Sequence, residues 1–291
     1  MDLTAFAEEV GPAGPVTCVG GRTQWDVGGA VLAEAREVRA PAGVEAVEPE
    51  EMVVRCGAGT PVTELQAALA EVGQMVALPA WPGATVGGVL AVGRSGILRL
   101  GRGPVRDALL QADVVTAAGE VVKAGGPTVK NVSGFDLCRL LVGSIGMLAF
   151  LGDVILRTRP RPAVQQWLAG SADPFDVRRR LYRPASILWD GVTTWVCIEG
   201  HPVDVLAQAS LVPELREVEG PPALPSGGRR SLPPGDLRGL SGTFVAEVGV
   251  GIVHLPEAPA PRVVDPAVAE LHQRLKAGFD PTGRLTPGRC W

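Results

Sequence analysis

Apolar residues recur at helical spacing over residues 63–72, where Leu65, Ala68, Leu69 and Val72 share one face and Thr60 or Thr63 can cap it. The period predicts a helix there, a shorter amphipathic one over residues 3–10 with Asp2 or Thr4 as cap, and a third over residues 266–277 through Val268, Leu271 and Leu275. The run Gly278-Phe279-Asp280-Pro281-Thr282-Gly283 reads as the stop of the third. Short apolar runs predict strands at 16–19, at 44–47 paired with 52–56, at 109–116 in a hairpin with 120–122 across Ala117-Ala118-Gly119, and at 152–158. Residues 79–96 are too rich in Pro, Gly and Ala for a single element, and residues 220–240 read as a long mobile loop. Arg159-Pro160-Arg161-Pro162 cannot continue a central strand or helix, so a domain boundary is expected there.

A chain of 291 residues with 46% hydrophobic content can bury a full core, and its length favours two unequal domains over one. A formal charge of -4 with scattered arginines offers no field for nucleic acid. The first residues carry acids where a signal peptide needs bases, and no apolar stretch reaches the length of a bilayer span, so a cytoplasmic protein without a direct membrane span is expected. Five widely spaced cysteines without a C-x-x-C pair, helped by only 3 histidines, suit reduced thiols and provide neither a zinc site nor an iron–sulfur cluster.

Chemistry concentrates in glycine-bearing turns. The strand ending at Val19 runs into Gly20-Gly21-Arg22-Thr23-Gln24, followed downstream by Pro82-Gly83-Ala84-Thr85-Val86-Gly87-Gly88, Lys130-Asn131-Val132-Ser133-Gly134-Phe135-Asp136 and Gly143-Ser144-Ile145-Gly146. Turns of this kind let backbone approach a flat, anionic molecule, and Thr85, Ser95, Ser133 and Ser144 add hydroxyls. Gly57-Ala58-Gly59 between a strand and a helix invites a Rossmann reading, but Val62 stands where the third glycine belongs and no acidic residue closes a second strand. A phosphate loop of the G-x-x-x-x-G-K-[ST] type is missing.

In their order and spacing, Gly57-Ala58-Gly59-Thr60-Pro61, Ala84-Thr85-Val86-Gly87-Gly88, Val105-Arg106-Asp107 and the two last turns above resemble the PCMH-type FAD-binding domain of the vanillyl-alcohol oxidase and para-cresol methylhydroxylase superfamily, and within it the flavin-binding E subunits of bacterial glycolate oxidases. Residues 279–289 are similar to the closing motif of those subunits, with Thr286 where an Asn is usual. The resemblance implies an α+β fold: an FAD-binding PCMH-type domain of two α+β subdomains over residues 1–160, a truncated α+β cap or substrate domain over 161–262, and a C-terminal helix and tail over 263–291 that docks on the first domain.

By the same resemblance Gly20, Gly21, Arg22, Thr23 and Gln24 wrap the pyrophosphate, and Pro82, Gly83, Thr85, Gly87 and Gly88 form a second wall with Ser95 at its far end. Lys130, Asn131, Gly134, Ser144 and Gly146 approach the flavin and ribityl chain, and the backbone of Val154 approaches the adenine. Many relatives hold FAD through a histidine in the first turn; Arg22 stands there instead, which implies noncovalent FAD.

The related catalytic subunits carry a His-x-Gly-Asp-Gly-Asn-x-His pattern, where this chain reads Glu247-Val248-Gly249-Val250-Gly251-Ile252-Val253-His254, so no metal site is expected. His254 remains as a candidate proton acceptor, and Arg94, Arg99 or Arg106, with Arg106 first among them, as a candidate clamp for a substrate carboxylate. The implied activity is oxidation of a small 2-hydroxy acid by the flavin subunit of a dehydrogenase complex. Its partners would be an iron–sulfur subunit and a paralogous flavin subunit, which could hold the chain at the inner face of the membrane. Two alternatives remain at this stage: an electron-relay or assembly subunit without turnover of its own, and a free-standing FAD-linked alcohol oxidase.

Overall fold

The computed structural model describes residues 1–126, 136–260 and 264–290, which fall into two compact units. The first comprises Met1–Ser95, Pro104–Arg161 and Val264–Trp291, and the second Gly96–Gly103 and Pro162–Val263.

The first unit starts with a helix at Thr4–Val10 and a parallel pair, β1 (Val16–Cys18) with β2 (Arg36–Val38). Its main sheet is antiparallel and contains β3 (Val44–Glu48), β4 (Val53–Gly57), β5 (Gln74–Val76), β6 (Leu109–Val115), β7 (Val121–Gly125) and β8 (Phe150–Pro160). The strand order is β3-β4-β8-β6-β7, with β5 also pairing to β8. β8 is central because its apolar run meets β4 on one side, Leu156 opposite Val54, and β6 on the other, Leu151 opposite Val114. Val72, expected on the face of Leu65 and Leu69, lies past the end of the Val62–Glu71 helix and is exposed, while the helix buries Val62, Leu65 and Leu69 in a core with Leu90, Leu148 and Leu156. Each such side chain contributes about 1.5–3 kcal/mol by leaving water.

Three local expectations change. No threonine caps the Val62–Glu71 helix; the Thr60 hydroxyl instead donates to the Gly57 carbonyl at 2.6 Å and accepts from the Gly43 amide at 2.9 Å, which ties two loops together. The irregular region around residue 86 contains a helix, Val86–Val92, in spite of Gly87 and Gly88. Burial of Val86, Val89 and Leu90 and a cap from Thr85 Oγ1 to the Gly88 amide outweigh a penalty of about 1 kcal/mol per glycine. The helix at Pro266–Phe279 passes through Gly278 and is capped by Asp265, whose carboxylate accepts from the Ala267 amide at 2.8 Å.

The second unit is built on an antiparallel sheet of β9 (Val164–Gly170), β10 (Ser186–Trp189), β11 (Thr194–Gly200), β12 (Arg216–Val218), β13 (Gly228–Ser231), β14 (Val245–Glu247) and β15 (Ile252–Leu255), in the order β12-β9-β11-β10-β14-β15-β13. Helices at Pro174–Arg180 and Pro202–Ala209 bury Val177 and Val205 in its core. The Gly96–Gly103 excursion is tied here by Arg102, which donates to both carboxylate oxygens of Glu199 at 3.0 and 2.6 Å.

Residues 220–239, expected as a loop, supply β13 and a short 3-10 turn at Pro234–Gly239 whose Leu237 is fully buried. The strand forms because β15 offers a free edge, with Arg229 opposite His254; main-chain pairing of this kind leaves no apolar alternation in the sequence. Mostly antiparallel sheets with separate helices bear out the α+β class.

Candidate functional site

The first unit holds an open cleft walled by several of its glycine-bearing turns. β1 delivers its first wall, since the β1–β2 ladder ends with the Val19 amide on the Val38 carbonyl and the chain then turns through Gly20 and Gly21. A Cβ on Gly20 would overlap the Thr85 hydroxyl and one on Gly21 the Gly83 carbonyl oxygen, so the first and second glycine segments touch through positions where a side chain has no room. Arg22 follows in the left-handed region at φ 55°, a conformation that costs a non-glycine residue about 1–3 kcal/mol, and it ion-pairs with Glu37. Among the described residues, none accepts a hydrogen bond from the amides of Gly20, Gly21, Arg22 or Thr23.

The second wall is the start of the Val86–Val92 helix, where a Cβ on Gly87 would meet Ala58 at 2.9 Å. Its amides are already engaged, Gly87 with the Ala58 carbonyl at 2.6 Å and Gly88 with Thr85 Oγ1 at 3.2 Å. These glycines therefore provide close approach, and the donors come from the first wall. Ser144, Ile145 and Gly146 make a third wall, fixed by the Ile145 amide on the Ala91 carbonyl at 2.8 Å.

The segment after residue 280 closes the site. Leu285 bridges to Val16 in parallel, the Thr286 amide donates to the Val16 carbonyl at 2.7 Å, and Thr286 Oγ1 donates to the Gly146 carbonyl at 3.1 Å. Arg284, only 5% exposed, gives all five of its N–H groups to backbone carbonyls: Gly14 at 2.8 Å, Gly11 and Ala117 at 3.0 Å, Val10 at 2.7 Å and Ala13 at 3.0 Å. Burial holds its acidity constant below the ordinary arginine value. Asp280 knots the segment by accepting from Lys276 Nζ and the Leu285 amide, both at 2.7 Å, and from the Arg284 amide at 3.1 Å. Burial alone would raise its carboxyl, but these donors outweigh burial and hold it below 3.8.

The cleft thus brings together Gly20, Gly21, Arg22, Thr23, Gln24, Thr85, Gly87, Gly88, Ser144 and Gly146, with Gly83 behind Gly21. Pro82, Ser95 and Val154 do not line it: Ser95 Oγ accepts from the Val105 amide at 3.1 Å, and Val154 is buried in β8 between Cys56 and Ala112. Lys130, Asn131 and Gly134 lie outside the described residues. Arg106, also off the cleft, is half exposed on a 3-10 turn of the first unit, 3.9 Å from Asp107.

His254 lies on β15 of the second unit, 7% exposed, with Nε2 at 2.8 Å from Glu247 Oε1; Arg229 Nη2 is 3.5 Å from the same oxygen. Cys18, Trp25 and Arg289 are among the lining residues that escaped the sequence reading. Burial pushes the Cys18 thiol up to about 11, so it stays neutral. Trp25 and Arg289 carried a signal, since one follows the first glycine turn directly and the other ends the closing motif.

Among the described lining residues only Arg22 and Arg289 are charged, while Val19, Ala91, Val92, Ile145 and Phe150 give apolar surface. Unpaired amides, two guanidiniums and apolar walls fit an elongated ligand with an anionic middle and a flat aromatic end, which describes FAD.

Residues 9–125 match the family described as FAD binding domain. The glycolate oxidase subunit GlcE of Escherichia coli (strain K12) is 37% identical over 153 residues, which are 51% of this chain and 43% of that protein. A D-lactate dehydrogenase of Archaeoglobus fulgidus is 37% identical over 118 residues, 40% of this chain and 26% of its own. The chain thus spans less than half the length of these relatives. A solved alkyldihydroxyacetonephosphate synthase shares the fold, with a TM-score of 0.69 at 12% identity over 98% of this chain and 73% of that one. The expected resemblance and cofactor are borne out: residues 9–125 match the FAD-binding domain family, in a chain related to FAD-linked oxidoreductases.

Proposed function

We propose that the chain is the flavin-binding subunit of a 2-hydroxy acid dehydrogenase of the glycolate oxidase kind and holds FAD noncovalently in the cleft of its first unit. The observation that carries this reading is the contact of the Gly20–Gly21 turn with Gly83 and Thr85, beside four amides that have no acceptor among the described residues. Those amides would hold the pyrophosphate, and the Gly87–Gly88 backbone and Ser144–Gly146 would bracket the rest of the dinucleotide. Bound there, FAD would supply the hydride acceptor for the carbon that bears the substrate hydroxyl. Electrons would pass on to an iron–sulfur subunit beside a second flavin subunit. No helix of the described residues is long and apolar enough to cross a membrane.

The purified chain should absorb as a flavoprotein, and acid precipitation should leave the yellow colour in the supernatant because Arg22 offers no imidazole for a covalent link. A colourless chain that FAD cannot reconstitute would overturn the reading. The buried His254–Glu247 pair favours a second reading, in which the subunit relays electrons or assists assembly without turnover of its own. Reduction of an artificial acceptor by glycolate or lactate with the isolated chain would eliminate it.

A further inference from the structure

The geometry points to Arg289 as the side chain that pairs with the pyrophosphate of the dinucleotide, an assignment that rests on the reading that FAD occupies this cleft. Arg289 lines the cleft and its guanidinium lies 4.3 Å above the Trp25 ring, with Nη2 donating to the Trp25 carbonyl. Its Nε is buried without an acceptor, and no carboxylate among the described residues lies at ion-pair distance. Arg22 lies over the same indole at 4.9 Å, but Glu37 already balances its charge. Arg289 is therefore the lining cation left for a ligand. Burial pulls its acidity constant down against the opposing field of Asp26, the state expected of a guanidinium that awaits an anion.

The pyrophosphate is the charged group of an FAD molecule, and a guanidinium fork matches two phosphate oxygens where a lysine offers a single point charge. The unpaired amides of Gly20–Thr23 face the same need from the chain segment that leads into Trp25. Arg289 is also held in place before any ligand arrives. The Cys290 amide donates to the Gly28 carbonyl at 2.9 Å, the Leu32 amide to the Pro287 carbonyl at 2.9 Å, and Arg284 and Thr286 fix the preceding turn. Preorganisation of this kind lowers the ordering cost of binding.

The test titrates flavin-stripped full-length chain with FAD and with riboflavin, which lacks the phosphates, at low and high salt, and follows flavin fluorescence for wild type, Arg289→Gln and Arg289→Lys. Arg289→Gln should weaken FAD about ten- to hundredfold, leave riboflavin unchanged and flatten the salt dependence, with Arg289→Lys in between. If thermal melting shows that the glutamine variant does not fold, the lysine variant decides alone through its ratio of FAD to riboflavin loss. Equal losses for both flavins would move Arg289 to the ring and overturn the assignment. Unchanged FAD affinity in a folded variant would overturn it too, while the cleft reading survives; failure of the wild type to bind FAD would remove that reading itself.

Discussion

Replacement of Arg284 by Met tests whether the closing segment is welded to the first unit by one side chain. Methionine keeps most of the stem volume and removes five donors at once, while the carbonyls of Val10, Gly11, Ala13, Gly14 and Ala117 stay where they are. Gly11, Ala13 and Gly14 lie in a partly exposed turn where water can replace the guanidinium, but Val10 is fully buried and Ala117 only 8% exposed. A buried acceptor left without a partner costs about 1–3 kcal/mol, so the two dry carbonyls set a loss of about 2–6 kcal/mol, near 4. That is a large share of the about 5–15 kcal/mol that holds a folded protein together. Urea denaturation followed by circular dichroism should show the midpoint falling with little change in slope. Arg284→Lys, with three donors instead of five, should recover only part of the loss. A methionine variant within about 1 kcal/mol of wild type would refute the idea that these bonds anchor the segment.

Gly21→Ala should weaken FAD binding more than it lowers thermal stability, because its Cβ would collide with the Gly83 backbone at the edge of the cleft; equal affinities in a fluorescence titration would contradict that geometry. Thr85→Val removes the hydroxyl that accepts from the Gly88 amide and should cost about 1 kcal/mol in denaturant melts. Asp280 is held below 3.8 in the fold, so its contribution is complete above the unfolded value and is lost as pH falls through the lower folded one. Melts from pH about 6 down to about 2.5 should therefore show a steeper acid loss in wild type than in Asp280→Asn, and parallel curves would remove Asp280 from the acid transition.

Much of the first unit was legible because its signals are local. The Leu65–Leu69 period marks one face of a helix, Ala117-Ala118-Gly119 marks a hairpin, and runs of glycine mark places where backbone meets backbone. The Val86–Val92 helix was hidden by its own Gly87 and Gly88, since tertiary burial and a capping hydroxyl decide there against intrinsic preference. β13 was hidden because its stability comes from the edge of β15. Trp25 and Arg289 meet across 264 positions of sequence, a distance over which no spacing rule reaches, although each borders a motif that was read. Ser95 and Val154 carry the opposite lesson. A residue inside a recognised segment can also serve the scaffold, one by holding the Val105 amide and the other by filling a sheet.

The bridge between Val16 and Leu285 also constrains how the molecule is made. β1 finds this partner only after residues 162–263 have been synthesised, so the second unit has the chance to fold while the cofactor domain is still open. Cutting the gene after Arg161 should accordingly yield an aggregation-prone fragment, and supplying the missing closing segment as a separate peptide should restore its solubility.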